Sequence, residues 1–109
     1  MPTVLAADTE MLVVKVNNGR CELYSASTGG FRRSFGSNIV QASVSGDNVA
    51  AVTEKGRVEI YRASTGGFQR SFGSNAVSAQ IQGDEVAVST TKGRVEIYRV
   101  STGGFQRSF

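Results

Sequence analysis

The sequence predicts an all-β protein made of three copies of one four-stranded antiparallel unit. Three observations predict it. The same short words recur at one fixed step, each step holds four strand-like runs, and no segment carries a helical period. Gly-Arg begins at Gly19, Gly56 and Gly93, and Ser-Thr-Gly-Gly-Phe begins at Ser27, Ser64 and Ser101. Arg-Ser-Phe ends at Phe35, Phe72 and Phe109, so every word repeats after 37 residues. The register is read without a gap. It divides a single repeat domain, 1–109, into units 1–37, 38–74 and 75–109.

The third copy shows the elements best. Val77 to Gln82 alternates apolar and polar side chains, which is a strand signal, and Gly83-Asp84 is a tight turn. Glu85 to Thr91 is rich in β-branched residues and reads as a second strand. Lys92-Gly93 turns the chain again, and Arg94 to Val100 is the third strand. Ser101 to Gly104 is a loop, and Phe105 to Phe109 is the fourth strand. Connections this short make neighbouring strands antiparallel, so the chain is expected to hold about twelve strands in three meanders. Copies two and three are near duplicates, both reading Lys-Gly-Arg-Val-Glu-Ile-Tyr-Arg, while the first differs strongly before Gly19. That pattern suits recent duplication, with the first copy freer to drift or serving as the capping end.

Composition narrows the function classes. Hydrophobic residues are 39% and charged residues 19%, as in a globular domain. No apolar run is long enough to cross a bilayer as a helix, so no membrane partner is expected. Met1-Pro2-Thr3-Val4-Leu5 lacks a basic start and a long apolar stretch, so no signal peptide is expected. The single cysteine, Cys21, allows no disulfide within the chain, and the expected compartment is the cytoplasm. Cys21 stands where the other copies carry Val58 and Val95, which reads as a small buried hydrophobe. The net charge of +3 is too small for a nucleic-acid footprint, so nucleic acid is not the expected partner.

Four strands per unit is the blade of a β-propeller. From Ser74 through Gly83-Asp84-Glu85-Val86 to Gly93-Arg94-Val95-Glu96-Ile97-Tyr98 the pattern resembles WD-repeat blades, and the resemblance runs through the whole chain. It departs from that family at its signatures. Tyr61-Arg62, Tyr98-Arg99 and Tyr24-Ser25 stand for Trp-Asp, and Gly36-Ser37 and Gly73-Ser74 stand for Gly-His. Asn18, Lys55 and Lys92 stand for the turn Asp, so the family's buried Asp-His-Ser-Trp network is not expected. A single-chain three-fold β-trefoil or β-prism is the alternative fold, although their Gln-x-Trp and Gln-x-Asp-x-Asn-x-Val-x-Tyr motifs are missing. Propellers have roughly four to eight blades, so three blades suggest a homodimer closing one six-bladed ring, the Phe109 end of each copy meeting the Met1 end of the other.

No enzyme, cofactor or metal is expected. There is no histidine to serve as base or ligand. Asp47 and Asp84 follow glycine in tight turns, and one carboxylate per turn does not make a calcium loop. The glycine pairs at Gly29, Gly66 and Gly103 lack phosphate-loop spacing. Glu22, Glu59 and Glu96 read either as a carboxylate ring or as partners of neighbouring arginines. Arg33, Arg70 and Arg107, with Arg62 and Arg99, read either as a single-strand nucleic-acid surface or as edge protection. The resemblance to WD-repeat blades implies a non-enzymatic binding or scaffold module that presents a peptide surface on one end of the ring. The candidate binding residues there are Ser37, Asn38, Lys55, Ser74, Asn75 and Lys92. A multivalent carbohydrate-binding lectin is the alternative, with a glycan as the ligand. A designed or amplified propeller fragment with no evolved ligand is a further one.

Overall fold

The computed structural model describes residues 10–109, which form eleven strands in three separate antiparallel sheets. The first sheet holds β1 (Leu12–Asn17), β2 (Arg20–Ser25) and β3 (Phe31–Phe35). The second is a meander of β4 (Ile39–Ser45), β5 (Asn48–Thr53), β6 (Val58–Arg62) and β7 (Phe68–Phe72). The third repeats it with β8 (Ala76–Gln82), β9 (Glu85–Thr90), β10 (Val95–Arg99) and β11 (Phe105–Ser108). The expected twelfth strand, at the start of the first unit, lies outside the described residues. Among the described residues no sheet takes a strand from another copy, unlike the shared barrel of a trefoil, and the buried cores join the first sheet to the second and the second to the third but not the third to the first, unlike a closed prism.

Local chemistry explains each connection. In Ser-Thr-Gly-Gly the threonine hydroxyl accepts a hydrogen bond from the second glycine N–H, at 3.0 Å in the first copy and 3.1 Å in the others. The first glycine of each pair adopts positive φ and donates back to the strand it leaves. The loop therefore closes on its own side chain before the fourth strand begins.

One turn differs from the sequence reading. Val16 pairs with Cys21, five residues on, whereas Val52 pairs with Val58 and Ser89 with Val95, six residues on. The first copy has an Asn18-Gly19 hairpin with both residues at positive φ, 53° and 77°, the geometry of a type I′ turn. It is one residue shorter than its counterparts. Upstream of Gly19 the first copy therefore aligns with the second at a step of 36, and the gapless register fails there.

Burial shows how the blades stack. In β5 the four residues Val49, Ala50, Ala51 and Val52 are all fully buried, because the middle blade is covered on both faces. In β1 and β9 burial alternates, because one face of each end blade is covered and the other open. One core, containing Leu23, Phe35, Val49 and Tyr61, joins the first two blades. A second, containing Ile60, Phe72, Ile81 and Tyr98, joins the last two. Cys21 is fully buried in the first core, as expected of a small hydrophobe.

Polar groups stitch the same interfaces. Arg33 donates to the Ala63 carbonyl of the next blade at 2.8 Å, and Arg70 donates to the Val100 carbonyl at 3.0 Å. The rings of Phe35 and Tyr61 meet at 4.8 Å between centroids, and those of Phe72 and Tyr98 at 4.6 Å. On the first strands, Gln41 accepts from Ala79 N–H at 2.8 Å, and Ser43 donates to the Ala79 carbonyl at 2.8 Å. Ser43 and Ser45 accept from Ile81 and Gly83 N–H, each at 3.0 Å. β8 is an edge strand, and β4 supplies side chains for its free backbone groups.

Two outcomes follow from these cores. Phe72→Ala empties the centre of the second one, so denaturant titration should show a loss of about 3–5 kcal/mol. Burial raises the Cys21 thiol to about 11, with the Glu59 charge adding to it. At pH 8 in native buffer Cys21 should resist iodoacetamide and then react fully in guanidinium, as read by intact mass.

Candidate functional site

The six residues nominated from the sequence lie together on one end of the arc, and all six are exposed. Their backbone is fixed. Asn38 and Asn75 take the left-handed conformation, φ 56° and 57°, which asparagine tolerates better than other non-glycine residues. Four backbone hydrogen bonds run across this end in sequence. Ile39 N–H donates to the Gly19 carbonyl at 2.9 Å, and Glu54 N–H to Asn38 at 2.8 Å. Ala76 N–H donates to the Gly56 carbonyl at 3.0 Å, and Thr91 N–H to Asn75 at 2.9 Å. The loops holding Ser37, Asn38, Lys55, Ser74, Asn75 and Lys92 thus form one tied row with outward polar side chains.

Arginine braces this row from beneath. Arg20 reaches the Gly36 carbonyl at 2.8 Å and Ser34 Oγ at 3.1 Å. Arg57 repeats the pair with the Gly73 carbonyl at 2.8 Å and Ser71 Oγ at 3.0 Å. The recurrent Gly-Arg is therefore a brace for the link between blades, and each link carries one of the nominated serines.

Two readings of recurrent charges need correction. Glu22, Glu59 and Glu96 accept hydrogen bonds from the hydroxyls of Tyr24, Tyr61 and Tyr98, two residues on, at 2.8, 2.6 and 2.8 Å. Residues two apart share one face of a strand, so tyrosine reaches them where cross-strand arginine does not. Arg33 and Arg70 tie adjacent blades together and do not serve merely as edge protection.

The opposite end holds a clamp that the sequence reading took for ordinary turn chemistry. Asp47 accepts from Ser64 N–H at 2.7 Å, Ser64 Oγ at 3.1 Å and Arg62 at 3.2 Å. Asp84 repeats all three with Ser101 and Arg99, at 2.8, 3.0 and 3.2 Å. Partial burial opposes ionisation of Asp47, but the Ser64 and Arg62 bonds outweigh it and hold its carboxyl below the usual range. In the first blade Met11 takes the place of this aspartate, as the shared backbone bonds Ala26 N–H to Met11 O and Ala63 N–H to Asp47 O show. The joint recurrence of Asp, Arg and Ser in copies two and three alone was the available signal.

A cleft of about 880 Å³ opens beside the first of these clamps, lined by Glu10, Met11, Arg32, Arg33, Asp47 and Ser64 among others. Its charged groups are engaged already. Arg32 pairs with Glu10, Arg33 holds the Ala63 carbonyl, and Asp47 is held by Ser64 and Arg62. Among the described residues no three His, Cys, Asp or Glu side chains are placed to share a metal ion.

Comparison with known proteins now adds the family. Residues 11–66 and again 63–108 match the family described as Helicobacter pylori IceA2 protein. The chain belongs to this family. The doubled match is the sequence repeat seen from outside, since each stretch spans more than one unit. No curated protein matches the chain. Among solved structures, Sqt1 of Saccharomyces cerevisiae is similar at TM-score 0.75 and 18% identity, over 99% of this chain and 32% of that one. BamB of Moraxella catarrhalis gives TM-score 0.74 and 17% identity, over 93% and 33%. The RRP9 WD40 repeats give 0.74 and 11%, over 94% and 36%. These likenesses establish propeller blades as the fold of this IceA2-family chain. It spans about a third of the length of each of the three.

The Tyr–Glu pairs carry a pH dependence. Burial, then the hydrogen bond to glutamate, raises the hydroxyl of Tyr98 to about 12 and that of Tyr61 further still. The folded state therefore holds its phenolic protons more tightly than the unfolded chain, whose tyrosines titrate near ~10. Their stabilising contribution is complete below that value and is lost as pH rises through the folded one. The urea midpoint should fall between pH 10 and 12, and the slope should flatten in a Tyr61→Phe, Tyr98→Phe double variant.

Proposed function

We propose that the chain is a non-enzymatic binding or scaffold module. In this reading its blades are WD-repeat-like but divergent, with Tyr-Ser in the first and Tyr-Arg in the other two where that family carries Trp-Asp. The observation that carries the function is the tied row at one end. Its backbone is fixed by the four loop-to-loop hydrogen bonds, while Ser37, Asn38, Lys55, Ser74, Asn75 and Lys92 stay exposed. A preorganised surface of repeated polar side chains binds a partner without first being ordered.

The sign of the row suggests the partner. Lys55 and Lys92 are exposed on it beside a single exposed carboxylate, Glu54. An acidic extended peptide meets that charge, and the equal spacing of like groups favours a ligand that touches more than one blade.

The lectin reading has one observation of its own. Phe31, Phe68 and Phe105 are each 56% exposed, one on every blade, and each sits edge-on to a tyrosine. Exposed rings repeated in this way suit stacking against sugars.

Side-by-side peptide and glycan arrays separate the two. Acidic peptides should bind, and Lys55→Glu with Lys92→Glu should weaken binding at least about tenfold at low salt. Saccharide binding that disappears with Phe68→Ala and Phe105→Ala, over an unresponsive peptide array, would move the assignment to the lectin.

A further inference from the structure

The contact that joins blade to blade is made twice inside the chain and is half made at each end. We infer that a second copy of this chain completes it, head to tail, with the Phe109 face of one copy seated on the first-blade face of the other. The inference rests on the partial-propeller reading and adds the partner and the residues of the joint.

The complete joint has a fixed set of parts. A fourth-strand phenylalanine packs on the next blade's tyrosine, and a fourth-strand arginine holds that blade's carbonyl. Both lie against the first glycine of the next blade's Gly-Gly pair. A Cβ at Gly66 would stand 3.2 Å from Phe35 and 3.4 Å from Arg33, and one at Gly103 would stand 3.3 Å from both Phe72 and Arg70. Glycine is needed there because the side chains of the preceding blade fill the space.

The end blades hold the two halves. Phe109 is 67% exposed, against 6% for Phe35 and 7% for Phe72. Arg107, the counterpart of Arg33 and Arg70, reaches no carbonyl of another blade among the described residues and lies 3.7 Å from Glu85 on its own sheet. On the first blade, Val13 is 49% exposed where Val49 and Val86 are fully buried. Ala26 is exposed where Ala63 and Val100 are buried. Among the described residues nothing lies within 4 Å of a Cβ at Gly29, the counterpart of Gly66 and Gly103. Tyr24 already stands against Phe31 as Tyr61 stands against Phe68, so the seat is shaped like its occupied copies.

Because both halves belong to one chain, the joint is heterologous, the tail of one copy meeting the head of another. Phe109 would stack on Tyr24 of the second copy, and Arg107 would turn from Glu85 to the Ala26 carbonyl. In a pair closed on itself this joint would be made twice. An apolar face of this kind is an association site when uncovered.

Sedimentation velocity and native mass spectrometry from about 1 to 200 μM test the inference. The expected result is a species of twice the 11.5 kDa chain mass that dissociates on dilution. Phe109→Asp should shift the dissociation constant upward at least about 30-fold, and Ala26→Arg, which faces Arg107 with a like charge, should do the same. Both sites are exposed in the single chain, so circular dichroism should be unchanged. Phe109→Asp spoils only the tail and Ala26→Arg only the seat, so mixing the two variants should restore a heterodimer through one intact joint. A wild-type monomer at 200 μM, or a dimer indifferent to both substitutions, overturns the inference. Lys55→Glu with Lys92→Glu should leave the mass unchanged, so a failed peptide surface and a failed joint are read separately.

Discussion

The arc depends on apolar burial between blades that share no backbone ladder. Each sheet satisfies its own strands, so side chains hold one sheet to the next, apart from one loop-to-loop backbone bond at each joint, Ile39 to Gly19 and Ala76 to Gly56. The Phe–Tyr pair is the centre of that contact, with Phe35 on Tyr61 and Phe72 on Tyr98. Arginine and the short polar side chains of β4 then remove the cost of burying backbone groups beside it. The tyrosine serves both directions, since its ring meets the preceding blade while its hydroxyl binds a glutamate of its own strand.

This division of labour leaves the two ends of the arc free for different work. One end is a row of loops linked by backbone hydrogen bonds, with its polar side chains exposed. The other is braced by the aspartate clamps, which tie the turn after the first strand to the loop after the third. A loop held by its neighbours can keep exposed side chains in place without spending them on structure. The nominated residues suit recognition on that ground, whereas Arg20, Arg57, Asp47 and Asp84 are committed to the fold.

Much of the fold was legible because the repeat is long and nearly gapless. The strands of the third copy fall within a residue or two of their expected bounds, since alternating residues and Gly turns mark each one. The shortened Asn18-Gly19 turn was missed because Gly19-Arg20 fixes the register downstream, while the residues before it have diverged. The glutamate partners were missed because a sequence places Glu beside both Arg and Tyr and does not say which side chain shares its face. The clustering of Ser37, Asn38, Lys55, Ser74, Asn75 and Lys92 was legible, because in a meander the first-strand start and the second turn fall at one end of the blade.

By itself the sequence determined the unit: four short antiparallel strands, complete in the second and third copies, with a glycine pair in the loop before the last. These are local matters, decided by residues a few positions apart. Which faces are covered was decided only in the tertiary structure. Identical Arg-Ser-Phe words end in a buried ring at Phe35 and Phe72 and an exposed one at Phe109, because burial depends on whether another blade follows in space. The same holds for Ala26 against Ala63, and for Gly29 against Gly66. Near-identical residues acquire different roles because contact with a neighbouring blade is a property of position in the arc, and the repeated words do not encode it.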